Sequence, residues 1–232
     1  MDIVMSRPRT MEFETEAEFQ HEEALRLPGQ RDPERTRRAI LEAATTEFVN
    51  HGFAGASVNE IAARANVNKR MLYHYFGKKE DLYIAVLERT YLALRTAQMQ
   101  LKLAHLSPAS AIETLILFTW NYYIQYPELL SLMSTEHLLR GKYLARSERL
   151  RDLDAPLMII LDDILARGAA QGVFRPGVDS RQLYISIVSL SAFFIATRST
   201  LSTLIGPTPS TEEEFQTRSL HVVDMILRYL RV

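Results

Sequence analysis

Between residues 57 and 77 the chain carries two helix starts and one stop, which leaves room only for two short helices and a tight connection. Ser57-Val58-Asn59-Glu60 has the Ser-x-x-Glu pattern of a capping box, and Val58, Ile61, Ala62 and Ala65 supply an apolar face lasting about two turns. Asn66-Val67-Asn68 then turns the chain. Asn68 can cap a further helix in which Leu72 and Phe76, four apart, face inward before Gly77 ends it. Two short helices joined in this way form a helix-turn-helix unit.

Helical signals continue on both sides. Asp32-Pro33-Glu34 is a helix start, Ile40, Ala44 and Phe48 follow at four-residue spacing, and Gly52 is placed to stop that helix. Lys79 to Leu103 reads as one long amphipathic helix through Leu82, Val86, Leu87, Leu92 and Leu94. Further helices are expected over 109–126, 127–140, 153–171, 180–204 and 211–231, separated by Pro127, Gly141, Gly177 and the Gly206-Pro207-Thr208-Pro209 break. No strand alternation competes. The expected fold is all-α: a mobile, glutamate-rich arm over 1–30, a helix-turn-helix domain over 31–83, and a larger helical domain over 84–232.

The charged residues from Arg64 to Lys79 are Arg64, Lys69, Arg70, Lys78 and Lys79, all positive in a chain whose formal net charge is -1. A local basic patch on a helix-turn-helix is the electrostatic footprint of DNA binding. Asn68, Lys69, Arg70 and Met71 open the second short helix and form its reading edge, with Arg70 placed for guanine and Lys69 for guanine or phosphate. Tyr73, His74, Lys78 and Lys79 suit phosphate contacts that fix register. Arg31, Arg35, Arg37 and Arg38 fit either a minor groove or a solvated surface.

Residues 35–84, within which ILEAATTEFVNHGFAGASVNEIAARANVNKRMLYHYFGKKEDLY is unbroken, resemble the DNA-binding region of the TetR family of bacterial regulators. The resemblance implies that Val58–Ala65 is a supporting helix, that Asn68–Tyr75 enters the groove, and that Tyr73 and Lys79 hold the DNA backbone. It also implies a homodimer bound to operator double-stranded DNA, with a C-terminal domain that takes a small-molecule effector and no cofactor. The family often has a small residue where this chain has Arg70 or Met71, so the operator of a relative does not transfer. The segments YPELLSLMSTEHLLRGKYL and GAAQGVFRPGVDSRQLYISIVSLSAFF are similar to the subset that includes the pyrimidine-utilisation regulator, implying a partly polar effector such as a nitrogen heterocycle or a carboxylate.

In the C-terminal part, Trp120, Tyr123, Glu136, His137, Arg140, Phe194 and Arg198 are effector-contact candidates, since polar or aromatic groups recur there among apolar helices. Each also suits core packing or a structural ion pair. The stripes Leu183, Ile187, Leu190 and Phe194, and Val223 with Leu227, fit either a dimer interface or an internal core. His137 has no metal-ligand spacing to other histidines, so no metal site is expected. The chain lacks cysteine and shows no nucleophile elbow, P-loop, dinucleotide glycine pattern or HExxH, so no enzyme is expected. The absence of thiols suits a cytoplasmic protein. The longest apolar run, Leu183–Thr197, is interrupted by serines and too short to span a bilayer, so no membrane segment is expected.

Overall fold

The computed structural model describes residues 32–232, and every regular element among them is helical. The arm expected over 1–30, and Arg31, lie outside the described residues. Helix α1 (Pro33–Gly55) starts on Asp32, whose carboxylate accepts from the N–H groups of Glu34 and Arg35 at 2.9 and 3.2 Å. Its regular part breaks at Gly52, where φ is +63° and a side chain would be strained, and a short turn continues to Gly55. Helix α2 (Val58–Arg64) starts on Ser57, whose Oγ accepts from Glu60 N at 3.4 Å. The capping box is only half formed. Ser57 N donates instead to Glu47 Oε1 at 3.0 Å, so a buried carboxylate on α1 supplies the acceptor expected from Glu60.

Asn68 caps α3 (Lys69–Phe76) by accepting from Met71 N at 2.8 Å, and Gly77, at φ +73°, ends it. Lys78 N donates to Asp81 Oδ2 at the start of α4 (Lys79–Met99). Helix α4 stops short of Leu103 because Lys102 adopts a left-handed φ of +50°, which turns the chain into a 3-10 turn at Leu103–His105. Leu92 is exposed on it rather than inward.

The remaining elements are α5 (Pro108–Gln125), α6 (Pro127–Leu138), a 3-10 turn at Leu144–Arg146, α7 (Glu148–Arg151), α8 (Ala155–Ala170), α9 (Ser180–Ile205) and α10 (Glu212–Leu230). The helix expected over 127–140 ends early, as Arg140 and Gly141 both take positive φ. Helix α5 is the centre of the C-terminal body, packed by α8, α9 and α10 around Ile112, Leu115, Ile116, Trp120, Leu161, Ile164, Ile187 and Val222. By length and composition α9 could cross a bilayer, further than the run Leu183–Thr197 suggested, because the flanking serines and threonines prolong the helix. Its inner face is spent on this core.

The apolar core of the head continues past residue 83. Ile40, Phe48, Ile61, Leu72 and Leu82 share one core with Val86 and Leu87 further along α4, and with Leu132 of α6 and Tyr143 beyond it. Helix α6 thus packs directly on α1.

Gly168 of α8 shows how tightly the body closes: a Cβ there would lie 2.1 Å from Cδ2 of the buried Phe174. Gly168→Ala is expected to destabilise the fold by about 1–3 kcal/mol through overpacking, read as a lower denaturant midpoint with an unchanged slope. An unchanged midpoint would show that Phe174 moves aside without cost.

Candidate nucleic-acid interface and ligand cavity

Helix α3 buries Leu72 and Phe76 and leaves Lys69, Arg70, Tyr73 and His74 exposed on the opposite side. Capping by Asn68 fixes where this row begins, and Gly77 limits it to two turns. Lys69 Nζ stands 5.9 Å from the Tyr73 ring centroid, so the two form one edge. Met71 is half-buried and sits behind that edge rather than on it.

Lys78 is exposed and Lys79 is partly so. Its Nζ donates to Ala54 O at 3.4 Å and lies 5.0 Å from the Phe53 ring centroid. Burial lowers its pKa, opposed by the nearby Glu80 and Glu47 carboxylates. Lys79 in this conformation ties α4 to the end of α1 while staying partly exposed. Arg37 stacks over Phe76 at 5.2 Å, which places its cation beside α3, while Arg35 and Arg38 are on the exposed side of α1.

Of the seven effector candidates the structure brings two together. His137 on α6 and Phe194 on α9 line a cavity of about 700 Å³, with Leu130, Met133 and Ser134 of α6, Val188, Ala192 and Phe193 of α9, and Arg218 of α10. Arg218 Nε is buried there without a hydrogen-bond partner, and its guanidinium lies 5.5 Å from the Phe194 ring centroid.

The others serve elsewhere. Trp120 is a core residue stacked on Phe194 at 5.6 Å, and Tyr123 is equally buried. Glu136 is 1% exposed and accepts from Tyr143 N and Leu144 N, both at 3.1 Å, so it closes the turn after α6. Burial and then the Glu136 carboxylate hold the Tyr83 phenol far above its ordinary pKa. Arg140 is exposed at a positive φ, and Arg198 lies over Phe215 at 5.3 Å.

Sequence reasoning passed over Arg218 and a buried polar cluster, Arg95 with Gln98 and Tyr184. The available signal was position: Arg95 and Gln98 stand three apart on α4 beside the inward Leu94, where a solvated pair has no place.

Leu183, Ile187, Phe194 and Val223 point into their own subunit's core, and Leu190 and Leu227 are half-buried against it. The apolar residues that α9 and α10 expose are Ile185, Phe193, Leu204, Ile205, Leu220, Met225 and Tyr229.

A helix-turn-helix head with a basic outer edge, carried on a helical body with its own cavity, defines a DNA-binding transcriptional regulator with a separate sensing part. Residues 40–86 match the bacterial regulatory proteins of the tetR family, and residues 108–226 match the tetracyclin repressor-like C-terminal domain. The chain belongs to the TetR family. It is 35% identical over 198 residues to the HTH-type transcriptional repressor NicS of Pseudomonas putida, covering 85% of this chain and 93% of that protein. It is 36% identical over 119 residues to the HTH-type transcriptional regulator RutR of Escherichia coli, covering 51% of this chain and 55% of that one. Among solved structures, the regulator SCO4942 of Streptomyces coelicolor superimposes with a TM-score of 0.61 at 25% identity, over 82% of this chain and 97% of that one. FadR of Bacillus subtilis, solved in complex with stearoyl-CoA, shares the fold with a TM-score of 0.64 at 18% identity, over 84% and 100%.

Proposed function

We propose that this protein is a homodimeric, cytoplasmic repressor, and not an enzyme, that binds operator DNA through the exposed edge of α3 and is released when a small molecule occupies the cavity between α6 and α9. The observation that carries this reading is the double use of α6. Leu130, Met133, Ser134 and His137 wall the cavity, while Leu132 lies in the core of the head. A ligand that displaces α6 therefore acts on the element against which α1 is packed.

Arg70 and Lys69 read bases, and Tyr73, His74 and Lys78 contact phosphates. Lys79, whose ammonium is held beside Phe53 and Ala54, adds a phosphate contact at the start of α4. The exposed face of α9 and α10 meets a second copy, which would bring two reading helices into register with successive turns of DNA.

Base reading and phosphate binding leave different signatures. Arg70→Ala should cost roughly 1–3 kcal/mol on the operator and relax preference at one base pair, whereas Lys78→Ala should weaken all sequences alike and reduce the salt slope by about one. Isotherms on operator and scrambled DNA at several salt concentrations measure both, and equal losses on the two DNAs for Arg70→Ala would remove its base-reading role.

Ile185→Glu places a charge on a residue that is 55% exposed in the protomer, so the subunit should stay folded while the dimer dissociates. Sedimentation should show a monomer with native helicity. A persistent dimer would move the interface to another face.

Trp120 reports on the cavity through its stacking on Phe194. Purines, pyrimidines and aromatic acids titrated against its emission, with and without operator, should reveal a ligand whose affinity falls when DNA is present. A tenfold loss of operator affinity requires about 1.4 kcal/mol of coupling and an equal, reciprocal loss of ligand affinity. A ligand that binds equally well in both conditions would overturn the coupling.

A further inference from the structure

Helix α4 carries Asp81, Glu88 and Arg95 at seven-residue intervals, and since seven residues nearly complete two turns, all three lie on one face. They meet one stretch of chain. Arg146 Nη2 is 3.5 Å from Asp81 Oδ1, Ser147 Oγ donates to Glu88 Oε1 at 2.6 Å, and Arg95 Nε donates to Asp154 Oδ1. Residues 146–154 therefore form a strap laid along α4.

The last grip has a chemistry of its own. Arg95 is nine-tenths buried, and its Nη1 donates to Gln98 Oε1 and to Tyr184 Oη, the latter at 2.6 Å. Gln98 Nε2 stands 3.5 Å from the same phenol oxygen. Burial opposes the Arg95 charge, but Tyr184 and Asp154 outweigh it and hold the guanidinium above its usual range. Burial also pushes the nearby Tyr91 phenol up to about 12, although Arg95 draws it down, so this hydroxyl stays neutral. The anion in this nest is supplied from outside the core. The Asp154 side chain is 52% exposed and sits at the N-cap of α8, yet it makes no bond to that helix's N–H groups.

We propose that Arg95, held in place by Gln98 and Tyr184, is a carboxylate-binding subsite that the chain's own Asp154 occupies, and that a small carboxylic acid, bound as its anion, takes Asp154's place. A buried guanidinium demands an anion, and its planar fork matches a carboxylate. The present occupant is replaceable because it belongs to a half-exposed strap and not to the core. Once displaced, its carboxylate remains beside the α8 N-terminus, where the helix dipole favours an acidic side chain. Val188, one turn beyond Tyr184 on α9, lines the cavity, so the apolar body of an acid held on Arg95 would have to span about one helical turn to enter it. The inference goes beyond the operator reading and does not need it.

The test uses the full-length protein without DNA. Asp154→Ala should melt below the wild type in chloride, and acetate or benzoate at equal ionic strength should restore its melting temperature in a dose-dependent way. Arg95→Gln combined with Asp154→Ala should show no such response. Calorimetric titration of benzoate should show about tenfold tighter binding to Asp154→Ala than to the wild type, because the internal competitor is gone, and no binding of neutral benzamide. If Asp154→Ala does not fold, Asp154→Asn serves in the same titration, since it removes the anion and keeps the side-chain volume. Carboxylate responses that are equal with and without Arg95, or no response beyond that to chloride, would overturn the proposal.

Discussion

The head and the body of this protein are joined by one aromatic cluster. Phe48 and Phe53 from α1, Tyr83 from α4 and Tyr143 from the turn after α6 lie with ring centroids 4.5–5.3 Å apart in the pairs that link α1, α4 and that turn. Each such pair contributes about 0.5–1.5 kcal/mol beyond the burial of its area, and together they bind three separate stretches of chain into one packed unit. Glu136 fixes the geometry by accepting the N–H groups of Tyr143 and Leu144, so the turn cannot shift without exposing two backbone donors to an apolar surrounding. The head therefore follows α6 instead of swinging on a linker.

Buried charge recurs at the points where helices must keep register. Glu47 accepts from Ser57 N and so fixes where α2 begins relative to α1. Glu136 does the same for the turn behind α6, and Arg95 for the approach of α9 and the strap to α4. Leaving a buried donor or acceptor of this kind without its partner costs about 1–3 kcal/mol, whereas replacing the whole arrangement by apolar groups of the same shape can be nearly neutral. These groups thus act on specificity of arrangement more than on net stability. Leucine at Glu136 would fill the same space and leave the 143–144 turn without a definite place.

The helices and the head were legible because their signals are local. Asp32, Ser57, Asn68 and Gly77 each act within three residues of themselves, and the periods of Leu72 with Phe76 and of Ile40 with Ala44 and Phe48 need no knowledge of the rest of the chain. What failed depended on distant partners. Glu60 was expected to close a capping box, but Glu47, ten residues before Ser57, arrives there first. That Lys79 lies beside Phe53 and Ala54 was equally invisible, because those residues stand some twenty-five positions earlier. The stripes on α9 and α10 were read correctly as apolar, but periodicity cannot say whether a stripe meets its own core or another subunit. Only the packing of α5 decides that Ile187 and Val223 face inward and Ile185 and Met225 outward. His137 and Phe194 reached the cavity while Trp120 and Tyr123 did not, because a sequence shows which residues are large and polar and not where helices fail to touch.

The geometry of α4 decides how far a local change can travel. Its 21 residues make a rod about 30 Å long, with Arg95 near one end and the start of the helix under α3 at the other. A tilt of only about 5° displaces the far end of such a rod by roughly 2–3 Å, which is close to the length of one hydrogen bond. Base contacts depend on that length scale, so the proposed reading edge needs no large rearrangement to lose its register. Resistance to the tilt comes from the strap along residues 146–154, and its three grips differ in strength. Asp81 with Arg146 is half exposed on both sides and contributes little, whereas Arg95 with Asp154 is screened on its arginine side. The grip furthest from the head works on the longest lever arm, so releasing Asp154 from Arg95, as the proposed exchange does, allows the largest displacement at the other end.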